Sequence, residues 1–175
     1  MSERLAPLIS ARRISRRVAA LARRISQDYS EGPLTLVIVL KGATVFAADL
    51  MRRIATPFVI DFISASSYRN SNRSSGSVLI KDQTGLDVRG HHVILVEDIV
   101  DTGLTITSIL ENLRQLEPAS LDVCALLHKH VEGARPVDIR YKGFDIPDLF
   151  VVGYGMDYAE RHRNLPDICE LILDG

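Results

Sequence analysis

The segment Val93-Ile94-Leu95-Val96-Glu97-Asp98-Ile99-Val100-Asp101-Thr102-Gly103-Leu104-Thr105 concentrates chemistry more than any other part of the chain. An apolar run of strand type ends in two carboxylates, and a loop of Asp, Thr and Gly then leads into a helix starting near Thr105. Ligands of open parallel sheets bind beyond the carboxyl ends of the strands, and a helix N-terminus offers free backbone N–H groups to a phosphate. The hydroxyls of Thr102 and Thr105 add donors, and Gly103 lets the backbone approach closely. The paired acids, Glu97 and Asp98, can hold ribose hydroxyls or a hydrated magnesium ion. Neither a G-x-x-x-x-G-K-[ST] loop nor a G-x-G-x-x-G turn is present, which disfavours a nucleotide triphosphatase or a dehydrogenase.

The surrounding elements give this segment its setting. Leu34–Leu40, His92–Glu97 and Leu121–Leu127 are apolar runs of strand length, as expected for strands buried on both faces. Pro57–Ile63, Val78–Lys81 and Leu149–Val152 also read as strands, and Ala43–Ile54 reads as a helix. Strand and helix alternate, so the fold class is α/β with a mostly parallel sheet flanked by helices. Ile14, Val18, Leu21 and Ile25 recur at helical spacing, which places Arg12, Arg13, Arg16, Arg17, Arg23 and Arg24 on the solvated faces of an amphipathic helix. Residues 64–77 hold seven serines and read as a mobile polar loop.

A chain of 175 residues suits one domain, and no linker or repeat divides it. With 46% hydrophobic and 25% charged residues it has a globular composition, and no apolar run approaches the roughly 18 residues a bilayer span needs. The N-terminal segment lacks an apolar signal core, so a cytoplasmic location with no membrane partner is expected. A net charge of −1 offers no field for nucleic acid. Cys124 and Cys169 sit among apolar neighbours and read as buried thiols. His91 and His92 read as a solvated turn. His128 and His130 alternate around Lys129, but no carboxylate or cysteine joins them at metal-ligand spacing in the sequence.

Four further segments accompany the acidic loop: Leu40-Lys41-Gly42; Ser66-Ser67-Tyr68 followed by Ser74-Ser75-Gly76; Lys129 at a strand end; and Ile146 through Tyr158 with Arg163 beyond it. In this order, from Leu40 to about Pro166, the chain resembles the hypoxanthine-guanine phosphoribosyltransferases. The resemblance implies the type I phosphoribosyltransferase fold with a small hood built from the terminal segments. It also implies purine salvage: transfer of a phosphoribosyl group from phosphoribosyl pyrophosphate to a 6-oxopurine. Lys41 and Gly42 then contact pyrophosphate through backbone groups, often with an unusual cis peptide, and Arg163 contacts it too. The loop from Glu97 to Thr105, Leu104 included, holds the ribose and the 5′-phosphate. Lys129 donates to the purine O6, Phe150 stacks on the base, and the Val151 backbone reads its edge. Asp157 sits by the base and, with Glu97 and Asp98, by magnesium. Ser67 and Tyr68 close over the reacting centre, and a homodimer or homotetramer is implied.

The implied reaction passes through a ribosyl cation-like transition state, much as glycoside hydrolysis does. Asp101 is placed to take the N7 proton as general base. Two positions depart from the pattern. An arginine often found four residues after the purine lysine is here Gly133, with Arg135 nearby but not assigned its role, and a lysine that can follow the Thr-Gly pair is here Leu104. Two rival readings keep the fold: a phosphoribosyl pyrophosphate-binding regulator, disfavoured by Asp101 and Lys129, and an enzyme for xanthine or a pyrimidine.

Overall fold

The computed structural model describes residues 2–66, 79–81 and 87–174. In chain order its elements are β1 (Ser2–Ile9), α1 (Ala11–Asp28), β2 (Leu34–Leu40), α2 (Thr44–Met51), β3 (Phe58–Ser66), β4 (Leu79–Lys81), β5 (His92–Val100), α3 (Leu104–Gln115), β6 (Ser120–Lys129), β7 (Tyr141–Ile146), β8 (Val151–Val152) and β9 (Ile168–Asp174). The central sheet has the order β4-β3-β2-β5-β6-β7. All its pairings are parallel except β3 with β4.

The unbroken apolar runs follow from burial on both faces. Leu36 and Ile38 of β2 pack with α1 and α2, whereas Val37 and Val39 pack on the opposite face with Ile106, Ile109 and Leu113 of α3. Ile14, Val18, Leu21 and Ile25 of α1 are buried as its periodicity requires. The chain lays β3 and β4 on one side of β2, then crosses to lay β5, β6 and β7 on the other. The carboxyl ends of β2 and β5 therefore diverge at a topological switch point, where a crevice opens.

The terminal segments form a second sheet of order β1-β9-β8, antiparallel throughout. Val151, Tyr154, Met156 and Ile168 join the same buried cluster as α1 and α2, so the hood rests on the main core. Pro7 is tolerated because β1 is an edge strand with a register shift between Pro7 and Ile9.

Several sequence expectations change. β5 continues past Glu97 to Val100, so the acid pair lies within the strand. His92 belongs to β5 and bonds the Ser120 hydroxyl at 2.8 Å; His91 does close a turn, its N–H donating to the Val88 carbonyl at 3.0 Å, but its ring bonds Thr35 at 2.8 Å, so neither side chain is simply solvated. Only Val151 and Val152 of the expected run Leu149–Val152 are strand, because the Leu149 N–H turns back to the Pro147 carbonyl at 2.8 Å. Arg17 is not simply solvated: its guanidinium donates to the carbonyls of Lys142 and Gly143 on edge strand β7, at 2.6 and 2.8 Å. Arg13 and Arg24 lie over the rings of Phe144 and Tyr141. Of the expected polar loop, Ser64–Ser66 end β3 and the remainder, Ser67 and Tyr68 included, lies outside the described residues.

Candidate active site

The crevice at the switch point is a cleft of about 290 Å³, and the loops after β2, β5 and β6 meet there with the hood. The loop after β2 contributes Lys41 and Gly42, joined to the strand by a cis Leu40-Lys41 peptide. Glycine is required at 42 by close approach: a Cβ there would lie 1.9 Å from Asp98 Oδ2. Gly155 of the hood, at φ +102°, in turn packs on the Gly42 carbonyl, with a Cβ position only 2.3 Å from that oxygen. Three segments far apart in sequence are thus held in contact at one point.

Glu97 and Asp98 are almost fully buried at the end of β5. Burial first, and then the adjoining Asp98 carboxylate, push the Glu97 carboxyl well above the usual range. Glu97 faces a smaller recess lined also by Asp101, Thr102, Gly103 and Thr105 at the start of α3. Gly103 adopts φ +76°, and a Cβ there would lie 2.5 Å from the Arg135 carbonyl. The Arg135 N–H donates to the Thr102 carbonyl at 2.9 Å, so the segment after β6 braces this recess through its backbone. Leu104 opens α3 and is exposed, which leaves backbone N–H groups and hydroxyls as the recess's donors.

Lys129, at the end of β6, reaches into the cleft with its side chain only 11% exposed. Its ammonium lies 3.3 Å from Asp101 Oδ2 and 3.2 Å from Asp148 Oδ1. Phe150 stands across the cleft, half exposed, with Tyr158 against its ring edge-on at 5.6 Å, and Val151 is buried beside it. Asp157 forms an ion pair with Arg163 at 2.7 Å and accepts from the Glu160 N–H at 2.8 Å. Arg163 also donates to the Gly155 carbonyl at 2.8 Å and pairs with Glu160 at 3.0 Å. Glu160 reaches Lys41 as well, at 3.1 Å, and these two cations, Arg163 first, hold its carboxyl below the usual range.

The residues singled out in the sequence therefore converge on the cleft and its recess, apart from the exposed Leu104 and from Ser67 and Tyr68, which lie outside the described residues. Asp148, Tyr158 and Glu160 were missed. Asp148 and Glu160 lie within or beside the quoted segments, but only proximity to Lys129, Lys41 and Arg163 reveals their partners.

A family model of the phosphoribosyl transferase domain matches residues 8–159. The hypoxanthine-guanine phosphoribosyltransferase of Mycobacterium avium is 46% identical over 164 residues, covering 90% of this chain and 81% of that protein. The hypoxanthine phosphoribosyltransferase of Escherichia coli K12 is 40% identical over 168 residues, covering 95% and 94%. A crystal structure of a hypoxanthine-guanine phosphoribosyltransferase from Bacillus anthracis, with HEPES in its active site, superposes with a TM-score of 0.90 at 38% identity, covering 98% of this chain and all of that one. With sequence, fold and cleft in agreement, the chain belongs to the phosphoribosyltransferase family, among the hypoxanthine-guanine phosphoribosyltransferases.

Proposed function

We propose that the chain acts as one phosphoribosyltransferase domain that moves the phosphoribosyl group of phosphoribosyl pyrophosphate onto hypoxanthine or guanine. The products are IMP or GMP and pyrophosphate. The observation that carries this reading is the 3.3 Å spacing of Lys129 Nζ and Asp101 Oδ2 at the cleft opposite Phe150. A 6-oxopurine presents O6 and N7 side by side on one edge. An ammonium and a carboxylate at that spacing address both atoms together: Lys129 donates to O6 and Asp101 takes the N7 proton. Phe150 supports the ring face and the Val151 backbone reads the remaining edge.

The base nitrogen forms the new bond to the anomeric carbon as the bond to pyrophosphate breaks, with cationic character on the ribose between. The recess at the start of α3 holds the 5′-phosphate through the backbone of residues 102–105 and the hydroxyls of Thr102 and Thr105. Glu97 and Asp98 hold the ribose hydroxyls. The Lys41-Gly42 backbone and Arg163 meet the charge gathering on the leaving pyrophosphate. Glu97, Asp98 and Asp157 offer the all-oxygen donor set that suits magnesium, which when bound supplies charge neutralisation on the pyrophosphate. The hood, built from β1, β8 and β9, fixes the base side of the site.

No helix among the described residues is long and apolar enough to cross a membrane, and we place the enzyme in the cytoplasm without a nucleic-acid partner. It works as a homodimer or homotetramer. A related Trypanosoma cruzi hypoxanthine phosphoribosyl transferase, with a TM-score of 0.86, has been studied for the role of its C-terminal region in oligomeric state. The direct test supplies purified protein with magnesium, phosphoribosyl pyrophosphate and each base in turn. IMP and GMP should form. Turnover of xanthine or uracil in preference to both would overturn the substrate assignment.

A further inference from the structure

β6 ends in His128-Lys129 with His130 directly after it, and the period of two along the strand direction turns both imidazoles away from the cleft that Lys129 enters. His130 extends the ladder through its N–H to the Ile146 carbonyl at 3.0 Å. The two rings stand edge to face with centroids 4.9 Å apart. The carboxylate absent from the sequence neighbourhood arrives from β7, whose parallel register pairs His128 with Asp145. Asp145 Oδ1 lies 2.9 Å from His128 Nδ1 and 3.2 Å from His130 Nε2, and the three ligand atoms fall within 4.8 Å of one another.

We propose that His128, His130 and Asp145 form a second metal site, distinct from the magnesium carboxylates, for a divalent transition ion of the zinc class. Zinc binds imidazole nitrogen and carboxylate oxygen at about 2.0–2.2 Å, so ligand atoms of a tetrahedral site stand about 3.3 Å apart. The present separations from Asp145 are already close to that spacing. Three protein ligands leave a fourth position for water, and the partly exposed setting gives an ion access. Donor chemistry sorts the two metals, since magnesium prefers oxygen ligands and the imidazole pair prefers zinc, cobalt, nickel or copper. None of the three residues lines the cleft, so the site does not depend on the proposed transferase chemistry. One competitor is present: Lys142 Nζ lies 2.9 Å from the same Asp145 oxygen, and a bound ion must displace that ammonium.

The competitor makes the proposal sharply testable. Zinc is titrated into untagged full-length protein in excess magnesium by calorimetry, and cobalt is added in parallel as an absorption reporter. Wild type should bind one ion per chain and unfold at a higher temperature with zinc present, as a ligand of the native state requires. His130→Ala and Asp145→Asn should each weaken binding by more than about 10-fold, the least that loss of a mere outer-sphere partner costs. Lys142→Met should tighten it. Unfolding temperatures of the metal-free variants establish that each is folded. Equal zinc affinity in wild type and His130→Ala would overturn the site. Loss in His130→Ala with Asp145→Asn unchanged would reduce it to surface histidine chelation, and an unchanged Lys142→Met would remove Asp145 as a ligand.

Discussion

The two ends of the central sheet use the same kinds of side chain in opposite ways. At the amino end, Tyr141 donates to Asp28 at 2.7 Å and Tyr29 donates to Asp122. Arg140 reaches both acids at 3.0 Å and lies over both tyrosine rings. Each charge there has an opposite partner within the protein, so the network is complete as it stands. At the carboxyl end, Glu97 and Asp98 place two acids side by side out of water, while Lys129, Lys41 and Arg163 hold acids across an open cleft. A closed network stabilises the fold, whereas pairs facing a cleft can be exchanged for a ligand's charges.

The largest effect that would sharpen this contrast is base selection. The role proposed for Lys129 is donation to O6, and the 6-amino group of adenine offers only hydrogens, so adenine should be used less well than hypoxanthine by about 10⁴ in kcat/KM. Adenine turnover within tenfold of hypoxanthine would break the pairing of Lys129 with the base. Next comes Asp101→Asn, which keeps the shape of the loop and removes the proposed base. Single-turnover measurement should show a loss of about 10²-fold or more, with nucleotide binding and unfolding temperature little changed.

The amino end should respond the other way round. Asp122→Ala strands Tyr29 and leaves Arg140 with Asp28 alone, and should cost about 2 kcal/mol of stability by denaturant unfolding, with kcat preserved. The same network gives a pH signature. Burial first, and then the Asp122 hydrogen bond and charge, raise the Tyr29 hydroxyl from 10.0 to about 12. The folded state therefore holds the proton more tightly than the unfolded state. Its contribution is full below pH 10 and disappears as pH rises through about 12. Tyr29→Phe should flatten part of that alkaline loss, with Tyr141 and Tyr154, raised in the same direction, supplying the rest. The smallest effect belongs to Glu160, an exposed carboxylate resting on two cations assigned to pyrophosphate. Since exposed ion pairs are weak and screened by solvent, Glu160→Gln should lower KM for phosphoribosyl pyrophosphate by no more than about fivefold. An increase in KM would show that Glu160 helps to bind the substrate.

Much of the fold was legible because a doubly buried strand leaves an unmistakable local trace. β2 coincides with the apolar run Leu34–Leu40, and the buried stripe of α1 follows its periodicity. The recess after β5 was legible for a related reason, since the pattern proposed for phosphate binding at a strand-to-helix turn uses neighbours in sequence. β1 and β7 left no such trace. β1 contains Glu3, Arg4 and Pro7 and exists through pairing with β9, at the far end of the chain. In β7, exposed and buried residues mix along an edge strand whose outer carbonyls are met by Arg17.

By itself, then, the sequence determined the doubly buried strands β2, β5 and β6 of the parallel core and which residues to propose for phosphate and base chemistry, because both are written in adjacent positions. Tertiary structure alone decided who meets whom. It set Asp148 and Asp101 on either side of Lys129, pressed Gly42 against Asp98, and brought Asp145 to His128 and His130. Those meetings depend on strand order and register between segments distant in the chain, and no local pattern of residues specifies a register.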